Sequence, residues 1–184
     1  VNTHANLLFF TNRGTVFSLK VYNIPEGGRT SKGRNLVNLL RLPPSEKIKE
    51  TLCFPSDEEL DGKYLMFATE RGLVKKSSLS DYKKINQSGL KAIKIQDGDS
   101  LRSVRITDGQ KDVLLCSTSG KIIRFSEADC RQMGRVSQGV KGINLDSNEK
   151  IIGMEIIDDS VEILSVTENG YGKRTCASQY RCQT

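Results

Sequence analysis

The chain has 184 residues, 28 Lys/Arg against 22 Asp/Glu, a net charge of +6, and 36% hydrophobic residues. That is enough apolar sequence to bury a core as one domain or a run of repeats, and no apolar run reaches the about 20 residues that a membrane span needs. The first residues, Val1 to Asn6, carry neither a basic nor an apolar leader region, so no secretory signal is expected; strand-like sequence starts almost at once, as in a piece of a larger protein.

The first predicted element is the apolar run Leu7–Thr11, closed by a turn at Gly14 and followed by Thr15–Lys20. The same pattern recurs at Tyr64–Lys76, Val113–Arg124 and Glu162–Arg174. Each copy is an apolar strand, a Thr/Ser-x-x-Gly turn and a return segment ending in Lys or Arg. The turn glycines, Gly14, Gly72, Gly120 and Gly170, are 58, 48 and 50 residues apart. Such a period marks a repeat architecture. Asn169-Gly170 reads as a two-residue type I′ hairpin turn, which needs positive φ at both central residues.

Between the copies the chain repeats a second theme. Lead-in strands are predicted at 46–54, 100–106 and 150–157. Acidic or Gly-bearing turns follow at Ser56–Gly62, Asp108–Gln110 and Asp158–Asp159. After each return strand comes a polar, Gly-containing loop and one more predicted strand, at 34–40, 89–95 and 139–145. Pro43-Pro44 falls where a strand should end. Ser126–Met133 reads as a short helical turn capped by Ser126. About four short strands per period describe an all-β, propeller-like array of four-stranded blades, with about three and a half blades present. The chain is read as a single all-β domain over 1–184, with repeats at roughly 1–42, 43–95, 96–145 and 146–184.

Charge follows the repeat. The windows 13–41, 71–94, 120–145 and 170–184, from each turn to the end of the following strand, hold 21 Lys/Arg and 4 Asp/Glu. The remainder holds 7 basic and 18 acidic residues. Stacked repeats would line the basic halves into a stripe, the electrostatic footprint of a polyanion. Duplex DNA fits better than single strands. Phosphates need only Lys, Arg and backbone N–H groups. The aromatic residues Phe9, Phe10, Phe54 and Phe67 lie in apolar strands, which leaves few stacking platforms. The residues assigned to phosphate neutralisation are Arg29, Lys32 and Arg34; Lys75, Lys76, Lys83, Lys84 and Lys91; Lys121, Arg124, Arg131, Arg135 and Lys141; and Lys173, Arg174 and Arg181.

No catalytic or metal constellation is predicted, and no cofactor. His4 is the only histidine, which removes Ser-His-Asp and Cys-His arrangements. The five cysteines (53, 116, 130, 176 and 182) show no C-x-x-C spacing, and Cys53 and Cys116 read as small hydrophobes in strands. Free thiols fit a reducing, cytoplasmic setting. Gly170-Tyr-Gly-Lys-Arg-Thr175 lacks the spacing of a phosphate-binding P-loop. Gly27–Gly33 is a basic flexible loop. Asp97-Gly-Asp99 and Asp146–Glu149 read as turn chemistry, without EF-hand spacing. The alternative to DNA binding is a protein-interaction β-propeller scaffold without a nucleic-acid role.

Phe9–Tyr22 with Gly33–Leu40, Phe67–Lys76, Ile93–Asp99, Gly139–Ile143 and Asn169–Thr175, in this order and spacing, strongly resemble the C-terminal domain of bacterial DNA gyrase A. The paralogous protein of topoisomerase IV is similar. The resemblance covers nearly the whole chain. It implies a β-pinwheel whose blades share strands and around whose basic rim duplex DNA wraps to support negative supercoiling. It also implies a module without chemistry of its own, the cleaving tyrosine lying in another domain. The implied partners are double-stranded DNA, the remainder of gyrase A and, through it, gyrase B, with no membrane. The family's basic glycine-rich box is absent from this chain, and Tyr180–Thr184 looks like the approach to a related loop, so weaker wrapping is expected.

Overall fold

The computed structural model describes residues 2–54 and 60–183. Among them there is no α-helix; the elements are fourteen strands and short 3-10 turns. The strands are β1 Asn6–Thr11, β2 Thr15–Lys20, β3 Ile48–Phe54, β4 Tyr64–Thr69, β5 Leu73–Ser78, β6 Leu90–Lys91 and β7 Leu101–Thr107. They continue as β8 Asp112–Ser117, β9 Ile122–Ser126, β10 Val140–Lys141, β11 Ile151–Ile157, β12 Glu162–Val166, β13 Gly172–Cys176 and β14 Cys182–Gln183.

These strands form three four-stranded sheets, in the orders β3-β1-β2-β6, β10-β5-β4-β7 and β11-β8-β9-β14, and a hairpin β12-β13. Every four-stranded sheet takes its central hairpin from one repeat and both outer strands from the next. The lead-in strand covers one edge of the hairpin. A short exchange strand (β6, β10 or β14) covers the other. All strand pairings are antiparallel except β14 against β9. No repeat completes a sheet by itself, so neighbours are interlocked.

The continuous apolar runs follow from this stacking. Alternate residues of a strand face opposite sides of its sheet, and β4 has a neighbouring sheet on both sides. Its Leu65 and Phe67 enter one core with Leu8, Phe10 and Val16 of the first sheet. Met66 and Ala68 enter a second core with Val113, Leu115 and Phe125 of the third. Phe10 and Phe67 meet edge to face at 5.8 Å. Burying such a side chain fully stabilises by about 1.5–3 kcal/mol. The apolar strand aromatics Phe9, Phe10, Phe54 and Phe67 are all buried. In β3, by contrast, burial alternates and Cys53 is exposed; the buried thiol is Cys130.

The lead-in strands β3, β7 and β11 adjoin one another across sheets and form the inner edge of the array. Arg105 of β7 bridges them. Its guanidinium donates to Glu50 Oε2 of β3 at 2.5 Å and to Glu155 Oε1 of β11 at 2.8 Å. The exchange strands therefore occupy the opposite, outer edge.

The Thr/Ser-x-x-Gly turns share one geometry. The glycine N–H donates to the carbonyl of Thr11, Thr69, Ser117 or Thr167. The Thr11, Thr69 and Thr167 hydroxyls accept the N–H of the residue after the glycine, each at 3.2 Å. Among the described residues only glycines have positive φ. Asn169 is therefore not left-handed, and the expected type I′ turn is instead a β-turn with both central residues at negative φ, closed by left-handed Gly170 (φ 82°). Three-residue hairpin loops commonly solve the twist in this way.

Two other expectations change. Segment 34–40 is no strand; Leu36–Asn38 form a 3-10 turn whose start is capped by the Asn35 side chain. Its counterparts become exchange strands by pairing with the return strand of the preceding hairpin. Leu36 and Leu40 instead pack on Phe9 and Phe17. Segments 89–95 and 139–145 contribute only two strand residues each, β6 and β10. The capped turn at Ser126 is present, with Ser126 Oγ accepting the Ala128 N–H at 3.3 Å. The acidic turn at Ser56–Gly62 lies outside the described residues up to residue 59; Leu60–Gly62 turn back into Lys63.

Candidate nucleic-acid interface

The outer edge carries cations at equivalent places in successive repeats. Lys83, Arg131 and Arg181 each follow Tyr82, Cys130 or Tyr180 and are exposed. For Arg131 and Arg181 the equivalence is fixed by register, because Gln132 lies parallel to Lys76 and Cys182 parallel to Arg124; Lys83 matches them by its place directly after the 3-10 turn Leu79–Tyr82. Lys91 of β6 and Lys141 of β10 form a second matched pair, opposite Thr15 and Leu73, and both are exposed. Lys84 and Arg135 are exposed in the loops that lead to these strands. Lys91 Nζ donates to the carbonyl of Arg13 at 2.6 Å. Arg135 donates to the carbonyl of Asp81 at 3.0 Å.

Away from that edge the assigned residues have varied surroundings. Arg29, Lys32 and Arg34 are exposed in the loop before the 3-10 turn at Leu36–Asn38. Lys173 and Arg174 lie exposed on β13, and Arg174 pairs with Glu162 at 3.3 Å. Lys121 is exposed but held between Asp146 (3.0 Å) and Glu149 (3.1 Å). Those carboxylates neutralise it. Hydrogen bonds from the Ser119 hydroxyl, the Asp146 N–H and Lys121 hold the Glu149 carboxyl down at about 2.

Three assigned residues are not available to a ligand at all. Lys75, Lys76 and Arg124 are 0%, 7% and 8% exposed. Their positions in β5 and β9, one strand in from the outer edge, point them between sheets. Lys75 Nζ donates to the carbonyls of Ala92 (2.6 Å) and Arg135 (2.5 Å) and sits 5.4 Å from the Phe67 ring centre. Lys76 Nζ donates to the Glu127 carbonyl at 2.5 Å. Arg124 donates to Asp112 (2.7 Å), Asp159 (2.7 Å) and the Ala177 carbonyl (2.8 Å). All three clamp the loop of the following repeat. In sequence they look like the solvent cations around them, because the burial comes from a segment far along the chain.

Sequence reasoning also passed over exposed cations. Arg13 and Arg71 precede the turn glycines of two repeats, and Lys94 lies beyond β6; all are exposed. Aligning the four Thr/Ser-x-x-Gly turns would have singled out Arg13 and Arg71.

Burial pushes the Lys75 ammonium down to about 8, with Arg135 adding to the shift and Asp81 opposing it. The unfolded chain keeps this proton up to about 10.5, the ordinary lysine value. Between those values the unfolded state binds more protons, so stability rises with pH. Urea unfolding at steps from pH 8 to 10 should show this rise, and Lys75→Met should flatten it. A Lys75→Met chain whose stability follows pH just as the wild type does would contradict the shift. The Cys116 and Cys130 thiols and the Tyr82 phenol, which burial holds above their usual values, oppose the rise in both chains.

The arrangement is that of a strand-exchanged all-β blade array with a cationic outer edge. A family model described as DNA gyrase C-terminal domain, beta-propeller, matches residues 5–49, 63–108, 111–158 and 162–184. The chain belongs to that family. It is 44% identical over 183 residues to the DNA gyrase A protein of Staphylococcus epidermidis (strain ATCC 12228 / FDA PCI 1200), covering 98% of this chain and 20% of that protein. The figures for Staphylococcus aureus (strain NCTC 8325 / PS 47) are the same. The chain thus spans about one fifth of the curated relatives' length. Among solved structures, the C-terminal domain of DNA topoisomerase IV superposes with a TM-score of 0.87 at 28% identity, over 100% of this chain and 57% of that one. A DNA gyrase A C-terminal domain superposes with a TM-score of 0.81 at 27% identity, over 100% and 58%. The β-pinwheel of these domains is the fold seen here.

Proposed function

We propose that this chain binds duplex DNA along its outer edge and wraps it, as a non-catalytic module of DNA gyrase A that supports negative supercoiling. The observation that carries this reading is the series of exposed cations at matching places, Lys83, Arg131 and Arg181 with Lys91 and Lys141, on the edge opposite the Arg105 bridge. Arg29, Lys32, Arg34, Lys84 and Arg135 extend it; Lys173 and Arg174 stand on the fourth hairpin at the places that Lys75 and Lys76 take on the second, and are not counted in it. Successive repeats from the second onward offer positive charge at matching places, so a regular polyanion can follow the array. Bending duplex DNA by 40–90° costs on the order of 1–6 kcal/mol. Contacts from several repeats are needed to offset it. Partners in the complete enzyme would be the rest of gyrase A and, through it, gyrase B.

Binding of mixed-sequence duplex DNA at graded salt tests the reading. A log–log slope of about −0.9 per phosphate contacted is expected, together with a wrap of one sign when plasmid is relaxed in the presence of the chain. Affinity that ignores salt would overturn phosphate contact and favour a protein-binding scaffold.

A further inference from the structure

Lys75 does something that a core residue of its size need not do. Burying an ammonium costs several kcal/mol unless hydrogen bonds replace its hydration. A methionine would fill the same space between the sheets without that cost. What the lysine adds is a point to which two distant carbonyls converge, Ala92 O at 2.6 Å and Arg135 O at 2.5 Å. Ala92 adjoins Lys91 in the exchange segment of the second repeat. Arg135 lies in the outer loop of the third repeat. One buried group therefore ties together the backbone at outer-edge cations of two successive repeats.

Nearby bonds act on the same loop. Ser77 Oγ donates to the Met133 carbonyl at 2.9 Å. The Met133 N–H donates to the Lys76 carbonyl at 2.8 Å, and the Lys94 N–H to the Ser137 carbonyl at 3.1 Å. The loop at 133–137 is thus fixed from two sides, with Lys75 beneath it.

We infer that Lys75 is a positioning residue that sets the spacing between Lys91 and Arg135, so that both meet one DNA backbone. This rests on the DNA-binding reading above. The test measures duplex affinity and salt slope by fluorescence anisotropy for wild type, Lys75→Met, Arg135→Ala and the double variant, with circular dichroism to confirm folding. Lys75→Met is expected to weaken binding about tenfold and to make the slope shallower by about 1–2, because misplaced cations no longer displace counterions. In that background Arg135→Ala should add little, the signature of coupled residues in a double-mutant cycle. A folded Lys75→Met chain with wild-type affinity and slope, or losses that simply add, would overturn the inference. If Lys75→Met does not fold, Ser77→Ala carries the test: a two- to threefold loss coupled to Arg135→Ala supports it, and no loss overturns it. Wild-type chain that binds no duplex removes both this inference and the function it rests on; wild-type binding with unchanged variants removes the inference alone.

Discussion

Replacing Lys84, Arg131, Lys141 and Arg181 together by alanine should lower affinity for duplex DNA by about 10²- to 10³-fold at low salt. The log–log salt slope should become shallower by about 3.6, or 0.9 for each phosphate no longer neutralised. All four residues are exposed on or beside the exchange strands. Surface substitutions of this kind usually change stability by no more than about 0.5 kcal/mol each. The fold should survive, and circular dichroism can confirm it. The loss should be the same for unrelated DNA sequences, because phosphates carry no sequence information. A loss confined to one sequence would mean that these side chains read bases. Unchanged affinity would place the DNA elsewhere on the molecule, or nowhere.

Gly14→Ala should destabilise the chain by about 3 kcal/mol, and Gly120→Ala by only about 1 kcal/mol. Both glycines are left-handed, with φ of 77° and 81°, and a residue with a Cβ pays roughly 1–2 kcal/mol for that conformation. The difference lies in what stands against the glycine. A Cβ at Gly14 would fall 2.4 Å from the Ile93 carbonyl oxygen, while at Gly120 nothing lies within 4 Å. Ile93 belongs to the exchange segment, whose Ala92 and Ile93 N–H groups both donate to the Gly14 carbonyl, at 2.8 and 3.2 Å. The Cβ must push away the strand that locks the second repeat onto the first, and overpacking adds about 1–3 kcal/mol. At about 2–4 °C per kcal/mol for a chain of this size, thermal melts should separate the two variants by several degrees. Equal melting temperatures would mean that the exchange segment does not press on the turn.

The residues show how much of this was readable in advance. Thr-x-x-Gly with a following basic segment revealed the hairpins and their period, because turn chemistry is local: a hydroxyl that caps the next N–H and a glycine at positive φ. The apolar runs at Leu7–Thr11 and Tyr64–Thr69 revealed strands, and the stacked sheets bury them on both faces. The type I′ assignment at Asn169-Gly170 failed because a dipeptide does not report loop length. The strand expected at 34–40 is instead a 3-10 turn that the Asn35 side chain caps and that packs on Phe9 and Phe17. The other two exchange segments pair with the return strand of the preceding hairpin.

The same division separates the cations. The sequence by itself determined that basic residues recur with the blades, because turn glycines and strand composition mark each repeat locally. It could not tell Lys83, exposed at the outer edge, from Lys75, sealed beside Phe67. Both are lysines in a basic window, a few residues apart. Strand exchange decided between them. It laid a loop from the next repeat over β5, turned Lys75 and Lys76 into internal clamps, and left Lys83 and its counterparts Arg131 and Arg181 facing solvent. That sorting depends on segments some 50 residues apart meeting across a sheet edge, and such a meeting exists only in the folded array.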